Sequence, residues 1–487
     1  MYNTDIIVIG GGIVGSSVAY GLARQNAKVL MLDEGDVAFR ASRGNFGLVW
    51  VQGKGYGFSP YTRWTMQSAR NWPALARELT ESTGIDPYLQ QPGGFVFFTN
   101  QAEMDERQQL MRHIQASVDE KYDYTFMTPT EVRKYIPAIG PKVIGACYTP
   151  MDGHANPLKL LPALQQGARQ LGVDYRYNNP VEHIDYRSGN FIVTTRAGEK
   201  YTGKKVVLCA GLGNKRLGNF VGLHVPVEPN QGQVMIGERC APFLSYPTMH
   251  VRQTNEGTIQ IGDSLEDVGY DDTTRLSLQQ AIARRAIDYF PALADMRIIR
   301  CWAALRIMSP DGVPIYQESS DMPGAYVVTC HSGITLAANH VFTIPDWILI
   351  ARRRCPDHRP ILKPALLQFD QRSIMNTVLF RTVQTDRSEA SAQTVSFDFE
   401  GRQLHAPKGI TVAAALIQNQ VLHFRDSPVS GQPRAPYCQM GVCFECLVQI
   451  NGVQNRQSCM TTIEEGMVIR MQQGQTTFTV IQTGEEQ

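Results

Sequence analysis

The sequence predicts a large α/β domain followed by a smaller domain of mixed strands and helix, and three observations lead to that prediction. Residues 5–36, DIIVIGGGIVGSSVAYGLARQNAKVLMLDEGD, have the pattern of a strand, a tight turn, a helix and a second strand. Residues 376–393 are polar and are typical of a linker. After them, residues 394–487 begin with alternating apolar positions and contain four closely spaced cysteines. They also contain a short helix that Thr411 can cap and a strand that ends at Asn451–Gly452.

The N-terminal unit predicts a dinucleotide site. Gly10, Gly12 and Gly15 form a G-x-G-x-x-G pattern between an apolar strand at residues 6–9 and the helix. The first glycine allows a tight turn, the second lets backbone approach a pyrophosphate at the helix N-terminus, and the third lets helix pack on strand. Asp33 ends the second strand, predicted at residues 28–32, and can accept from a ribose hydroxyl. The alternative is a glycine-rich turn with no ligand.

The cysteines near the C-terminus predict an iron–sulfur site. Cys438, Cys443, Cys446 and Cys459 are spaced C-x4-C-x2-C-x12-C, and the first two intervals are those of plant-type [2Fe–2S] proteins. Zinc is the competing interpretation, since C-x2-C recurs in zinc sites, although these usually have two such pairs. The third interpretation is a former metal site whose cysteines no longer bind a metal.

Composition excludes several classes of function. The 46 basic and 45 acidic residues nearly cancel, so no partner of high negative charge, such as nucleic acid, is expected. No run of 18 apolar residues predicts a transmembrane segment, and ten cysteines without a signal-peptide pattern favour the cytoplasm. Pro345–Arg359 joins an apolar stretch to a basic run, which leaves open a peripheral association with the inner membrane, against a broken helix with a solvated end.

Segments along residues 1–375 resemble, in order, the FAD-dependent amine and amino-acid oxidoreductases of the D-amino-acid oxidase and glycine oxidase superfamily. They include ASRGNFGLVW (41–50), DGHANPLKLLPAL (152–164), VVLCAGLGN (206–214) and WAALRIMSPDGVPI (302–315). The resemblance implies a Rossmann-type FAD-binding domain interleaved with an α+β substrate domain, the latter at about residues 91–148 and 226–315. It also implies enzymatic oxidation of a C–N bond by hydride transfer to the flavin.

The resemblance further implies which residues form the site. FAD contacts are expected from Gly10, Gly12, Val14, Gly15, Asp33, Glu34, Ser42, Arg43, Asn45, Phe46, Gly47, Leu48, Val181, Ala210, Gly211, His331, Ser332, Gly333, Ile334 and Thr335. Ala304 stands where the covalent-flavin subset has cysteine, so FAD is expected to be held non-covalently. Arg306 is expected to bind the substrate carboxylate and His250 to contact substrate, with Arg252 a weaker candidate; a salt-bridged arginine and a structural histidine are the alternatives.

The C-terminal segment resembles a β-grasp [2Fe–2S] ferredoxin-like domain, and in particular the small ferredoxin-like subunit of opine dehydrogenases, D-hydroxyproline dehydrogenase and hydrogen cyanide synthase. In the flavin-dependent part, the stretch RASRGNFGLVWVQGKG (40–55) looks closest to the β-subunits of opine and D-hydroxyproline dehydrogenases. In those relatives the iron–sulfur piece is a separate chain and a second, larger flavin-containing subunit is present, so a hetero-oligomer is implied.

The expected function is therefore an FAD-dependent dehydrogenase of an amino acid or opine-like secondary amine, with electrons leaving through the [2Fe–2S] cluster. Two alternatives stay open. One is an oxidase that reduces O2 directly and keeps a structural cluster, and the other is a non-catalytic electron-transfer subunit.

Overall fold

The computed structural model describes residues 2–35, 41–349, 394–426, 433–436 and 445–472 of the 487. The chain divides into two compact units, Met1–Lys363 and Pro364–Gln487. The predicted linker at residues 376–393 lies outside the described residues. Within the described part, no helix is both long and apolar enough to span a bilayer.

Strands of the first unit form a large sheet and several smaller ones. They are β1 (Tyr2–Ile9), β2 (Val29–Leu32), β3 (Leu48–Val49), β4 (Gly94–Phe98), β5 (Thr125–Met127), β6 (Gly145–Thr149), β7 (Gly153–His154), β8 (Asp174–Arg176), β9 (Val181–Arg187), β10 (Asn190–Thr195), β11 (Lys200–Leu208), β12 (Glu228–Arg239), β13 (Val251–Gln253), β14 (Thr258–Gly262), β15 (Ile298–Met308), β16 (Ile315–Glu318) and β17 (Ala325–Thr329).

Helices of the first unit cover the large sheet and flank the smaller ones. They are α1 (Ile13–Arg24), α2 (Ser59–Thr83), α3 (Gln101–Ser117), α4 (Pro129–Tyr135), α5 (Pro157–Gln170), α6 (Asn214–Leu217), α7 (Leu276–Tyr289), α8 (Ala337–Phe342) and α9 (Ile344–Leu349).

The large sheet places three strand ends side by side. Its order is β16-β17-β11-β1-β2-β8, with β10 and β9 added beside the start of β11. β1 runs parallel to β2 on one side and to β11 on the other, and Ile9 lies opposite both Leu32 and Leu208. The order in which strands are added to the sheet therefore reverses at β1. Open α/β sheets bind their ligands at such a point, at the carboxyl ends of the strands.

The first helix fixes the geometry of this sheet edge. α1 buries most of its residues, including Val18 and Leu22, against β1, β2, α5 and α8. Such a helix is apolar nearly all round because it has neighbours on every side. Its N-terminus is thereby held over the end of β1.

Two smaller sheets of the first unit carry the second wall of the site. One is antiparallel with the order β13-β14-β12-β15, and the other has the order β4-β6-β5. A bridge between Phe95 and Thr248 connects them, and Phe95, Phe97, Tyr289 and Phe290 pack together in their core. These strands fall within the residues predicted for the substrate part, whose exact limits stay a prediction.

The second unit contains a five-stranded sheet with one helix. Its elements are β18 (Thr394–Phe399), β19 (Arg402–Pro407), α10 (Val412–Gln418), β20 (Arg425–Asp426), β21 (Pro433–Arg434), β22 (Leu447–Ile450), β23 (Val453–Gln457) and β24 (Val468–Met471). The sheet order is β19-β18-β24-β22-β23, with β18 and β24 parallel, while β20 and β21 pair separately. Phe397, Leu416, Phe424 and Val448 form its core.

Several local predictions agree with these elements. The hydroxyl of Thr411 accepts a hydrogen bond from the Ala414 N–H at 3.2 Å and caps α10, as its sequence predicts. Asn451 and Gly452 both have positive φ and make the turn between β22 and β23. The second strand begins at Val29, one residue later than predicted.

Candidate active site

The glycine turn after β1 has the shape that the dinucleotide pattern requires. Gly10 has a φ of 109°, and a Cβ there would overlap the carbonyl of Cys209. A Cβ on Gly15 would overlap the carbonyl oxygen of Gly10, so only glycine lets α1 approach the turn this closely. The turn therefore brings the N-terminus of α1 close to the end of β1, where an anionic ligand can approach the positive end of the helix dipole.

Two polar side chains complete this edge of the sheet. Asp33 Oδ2 accepts from the Gly11 N–H at 2.7 Å, and Oδ1 accepts from the Gly35 N–H at 3.0 Å. The hydroxyl of Ser42 accepts from the Ile13 N–H at 3.0 Å, in the first turn of α1. Donors, a carboxylate and a close backbone approach are the features that a flavin dinucleotide needs, so the residues present fit FAD.

The predicted contacts on β9 and after β11 lie at the same edge of the sheet. The Val181 carbonyl accepts from Arg216 Nη2 at 2.7 Å, and Arg216 also bonds the Glu182 carbonyl. The Ala210 N–H donates to Asn214 Oδ1 at 2.8 Å, which holds the turn that follows Leu208. Gly211 follows with a φ of 58°.

A cavity of about 190 Å³ brings together residues predicted for FAD and residues predicted for substrate. Its walls come from the loop after residue 40, from β12 and β15, and from the segment after β17. The lining residues that the sequence predicts for the site are Asn45, Phe46, Leu48, Ala304, Arg306, His331, Ser332, Ile334 and Thr335.

Hydrogen bonds hold the two predicted flavin-facing segments in place. The indole of Trp302 donates to the Gly44 carbonyl at 3.1 Å, and the Gly47 N–H donates to Asn45 Oδ1 at 2.7 Å. The Thr335 hydroxyl accepts from the Trp50 N–H at 3.1 Å and donates to the Leu48 carbonyl at 3.2 Å. The Thr335 side chain thus fastens the loop to the segment after β17.

The segment after β17 presents a neutral imidazole to the cavity. Burial lowers the pKa of His331 to about 3, and the charges of Lys54 and Arg306 contribute. Ser332 accepts a hydrogen bond from the Tyr61 hydroxyl at 3.1 Å. Gly333 approaches Val14 closely enough that a Cβ would lie 3.3 Å from its methyl group. The segment is therefore supported by both α1 and α2.

Arg306 lies in the cavity but already has partners. Its Nη1 donates to Asn230 Oδ1 at 3.1 Å and to the Gln231 carbonyl at 2.9 Å. Its Nη2 donates to Asp263 Oδ2 at 2.7 Å. The guanidinium is held rigidly, with 16% of its side chain exposed, and its charge is balanced by Asp263.

Asp263 also lies beside His250, the second residue predicted to contact substrate. His250 Nδ1 lies 3.3 Å from Asp263 Oδ1, and Arg285 donates to the Gly262 and Asp263 carbonyls. Burial raises the pKa of Asp263, but His250, Arg306 and Arg285 outweigh it and bring the pKa to about 2. Burial lowers the pKa of His250, so the imidazole is neutral near pH 7. His250 is the neighbour of Asp263 and is not one of the residues that line the cavity.

Arg252 lies away from Asp263, the residue that His250 contacts. It is 4% exposed and donates to Gln260 Oε1 at 2.8 Å, and it lies 3.0 Å from His154 Nδ1. Its guanidinium also lies 5.9 Å from the Phe46 ring centroid. These contacts make Arg252 a support beneath the loop of residues 44–48, rather than a residue of the cavity lining.

Sequence reasoning missed two charged residues of the lining, Asp263 and Lys54. Asp263 directly follows β14, in a segment whose pattern predicts a strand, and Lys54 stands in the QGKG segment just after the flavin-facing loop. Their positions in the sequence were a signal, but only the fold shows that both reach the cavity of Arg306.

The described cysteines of the second unit lie together. Cys446 and Cys459 are both buried, and their Sγ atoms are 3.2 Å apart. Two thiolates on one tetrahedral ion with metal–sulfur bonds of about 2.3 Å are separated by about 3.8 Å, so a small adjustment lets both bind one iron. Cys438 and Cys443 lie outside the described residues.

Comparison with protein families assigns both parts of the chain. A family model described as FAD dependent oxidoreductase, DAO, matches residues 5–340. A model described as 2Fe-2S iron-sulfur cluster binding domain matches residues 392–474 and decides against zinc. The predictions of an FAD-dependent enzyme and of a [2Fe–2S] cluster are confirmed.

Individual relatives agree with this assignment. An opine oxidase subunit from Agrobacterium tumefaciens (strain Ach5) is 41% identical over 72% of this chain and 94% of its own length. Hydrogen cyanide synthase subunit HcnC of Pseudomonas protegens is 27% identical over 67% of this chain and 87% of its own. Both are named as subunits.

Solved structures confirm the fold of the first unit. Glycine oxidase from Bacillus cereus covers 72% of this chain and 96% of its own, with 27% identity and a TM-score of 0.66. L-proline dehydrogenase from P. horikoshii has the same fold, with 20% identity, a TM-score of 0.64, and coverage of 73% of this chain and 96% of its own. The chain therefore belongs to the DAO family of FAD-dependent oxidoreductases and carries a 2Fe–2S cluster-binding domain after its flavin-dependent part.

Proposed function

We propose that the chain is a dehydrogenase that oxidises the C–N bond of an amino acid or an opine-like secondary amine and passes electrons to its iron–sulfur domain. The observation that carries this proposal is the shared cavity. Residues that the superfamily resemblance assigns to FAD and Arg306, which it assigns to the substrate, line the same space.

The charged residues of the cavity suggest a separate role for each side chain. Arg306 orients a substrate carboxylate, and Asp263, Asn230 and the Gln231 carbonyl fix the guanidinium in one rotamer. Because the guanidinium is already placed, little conformational entropy is lost when the carboxylate binds. His250 lies against Asp263, 3.3 Å from its Oδ1, and we assign it the role of a positioning residue for Arg306.

FAD, when bound, supplies a hydride acceptor, and a [2Fe–2S] cluster supplies a one-electron acceptor. The residues assigned to FAD are those named from the sequence, and Ala304 beside Gly44 fits a non-covalent flavin because it offers no nucleophile. The neutral imidazole of His331 adds no positive charge to the cavity and can accept a hydrogen bond from a substrate amine.

For the second unit we propose a β-grasp fold with Cys438, Cys443, Cys446 and Cys459 as ligands. The strand order β19-β18-β24-β22-β23, with its parallel central pair and one helix, supports the fold. The 3.2 Å separation of Cys446 and Cys459 supports the ligand set. We place the flavin-dependent part at residues 1–375, the linker at 376–393 and the cluster domain at 394–487.

The proposed setting is a hetero-oligomer in the cytoplasm. The apolar residues Trp347 and Ile348, which the sequence offered for a contact with the inner membrane, are instead buried in the core of the first unit, and the basic run at residues 350–359 lies outside the described residues. The names of the opine oxidase subunit and of hydrogen cyanide synthase subunit HcnC support a partner subunit. A D-hydroxyproline-type substrate belongs to the same proposal.

Turnover under nitrogen tests the proposal. Purified holoenzyme is supplied with a panel of amino acids and opines and a redox dye, and the same panel is repeated in air with peroxide detection. A dehydrogenase reduces the dye without oxygen and forms little peroxide. Stoichiometric peroxide with no stimulation by the dye would identify an oxidase, and absence of flavin bleaching across the panel would identify a non-catalytic subunit.

A further inference from the structure

The cavity contains a cation that no carboxylate of the described residues contacts directly. Arg306 is balanced by Asp263, whereas the ammonium of Lys54, which also lines the cavity, makes no hydrogen bond or ion pair with any side chain in the described parts of the chain. With His331 neutral, the charged residues of the lining are Lys54, Arg306 and Asp263. The lining therefore keeps one net positive charge.

The loop that carries Lys54 is held from both ends. The Lys54 N–H donates to the Val51 carbonyl at 3.1 Å, and the Lys54 carbonyl accepts from the Thr62 hydroxyl at 2.9 Å. The neighbouring Gly53 N–H donates to the Tyr122 hydroxyl at 3.2 Å. The backbone at Lys54 is therefore fixed by neighbours on both sides.

A fully buried carboxyl group anchors the start of this loop. Asp152 Oδ1 accepts from the Val51 N–H at 2.5 Å and from the Gln52 N–H at 3.3 Å, and Oδ2 accepts from Gln52 Nε2 at 2.7 Å. Arg107 donates to Gln52 Oε1 at 3.0 Å and secures the amide from its other side. The buried Asp152 carboxyl group thus bonds the backbone just before Lys54, and the half-buried Arg107 fixes the buried Gln52 side chain.

Burial also acts on the lysine itself. It lowers the pKa of Lys54 to about 8, with Cys330 and Asp152 opposing the decrease and Arg107 and Arg306 adding to it. The ammonium is still mostly protonated at pH 7, and an anion that binds beside it would restore the stability of the charged form.

We infer that Lys54 binds a second carboxylate of the substrate, separate from the carboxylate at Arg306, so that the site selects secondary amines with a carboxylate on each side of the nitrogen. This inference rests on the proposed function and names its substrate class. Lys54 binds one carboxylate as a point charge and Arg306 orients the other, which leaves the C–N bond between two fixed ends.

Non-oxidisable ether analogues test the inference by equilibrium binding. Oxydiacetate carries two carboxylates across an oxygen and methoxyacetate carries one, and both are titrated into holoenzyme while the flavin absorbance is followed. The native protein should bind oxydiacetate at least tenfold more tightly than methoxyacetate. Lys54→Met should weaken the binding of oxydiacetate tenfold or more and change the affinity for methoxyacetate less than threefold. The variant should therefore lose the preference for oxydiacetate.

Two further variants make the outcome specific. Lys54→Arg keeps the charge and should retain the preference for oxydiacetate. Lys121→Met removes a lysine whose side chain is 83% exposed and should change neither affinity. Flavin content measured for each variant shows that the loop has folded.

The inference fails if Lys54→Met weakens both ligands equally or neither of them. Such an outcome leaves the proposed function untouched, because amine oxidation is measured separately. If instead no amine bleaches the flavin but the preference for oxydiacetate depends on Lys54, the proposed function fails and the dicarboxylate site stands.

Discussion

Replacing Asp263 by asparagine removes the charge that balances Arg306 and should destabilise the flavin-dependent unit. The pKa of Asp263 is about 2 against an ordinary 3.8, which corresponds to about 2.5 kcal/mol in favour of the ionised side chain in the folded protein. Removing one partner of a buried ion pair costs about 3–5 kcal/mol, and 32% of the Asp263 side chain is exposed, so the lower figure is expected. This contribution is present above pH 3.8 and is lost as the pH falls through about 2.

Urea unfolding at pH 7.5, followed by far-UV circular dichroism and flavin fluorescence, measures the loss. Asp263→Asn should lower the free energy of unfolding by about 2–3 kcal/mol. Glu238→Gln is the matched control, because Glu238 pairs with the exposed Arg297 at 2.8 Å and surface pairs contribute about 1 kcal/mol or less. A double-mutant cycle with Arg306→Gln should give a coupling energy of about 1–2 kcal/mol. A loss no larger than the control's, or zero coupling, would refute this account of the charge balance.

Three further results are expected. Burial raises the pKa of Asp152 to about 7, so the folded protein holds this proton more tightly than the unfolded chain; the free energy of unfolding should therefore fall between about pH 4 and 7, and Asp152→Asn should flatten that dependence in urea titrations. Gly15→Ala forces α1 away from Gly10 and should yield protein with little bound FAD by absorbance, whereas Gly172→Asn, at a position with open space and a φ of 89° that asparagine adopts more readily than other side chains, should keep its flavin. Cys446→Ser should remove the visible absorption of the cluster while flavin content is retained, and the exposed Cys240→Ser should keep both.

Local patterns in the sequence predicted those parts of the fold that depend on neighbouring residues. The βαβ unit with Gly10, Gly15 and Asp33, the Thr411 cap and the Asn451–Gly452 turn each follow from rules that act over a few residues. The cysteine spacing belongs to the same class, and the family comparison confirms the cluster domain it indicated.

Long-range pairing was beyond such rules. Arg306 and Asp263 are 43 residues apart along the chain and meet only because β12 pairs with both β14 and β15. Lys54 reaches the cavity because Asp152, 98 residues later, holds its loop. No periodicity reports such contacts, so the sequence predicted a carboxylate-binding arginine without its counter-ion and left the second cation unnoticed.

Anaerobic mixing of holoenzyme with one equivalent of iminodiacetate or an opine tests the central claim most directly. Flavin absorbance and the electron paramagnetic resonance signal of the reduced cluster are recorded on the same sample. The proposed function predicts that the flavin bleaches and that the cluster signal appears without any added reductant. Bleaching of the flavin with no cluster signal until dithionite is added would contradict it.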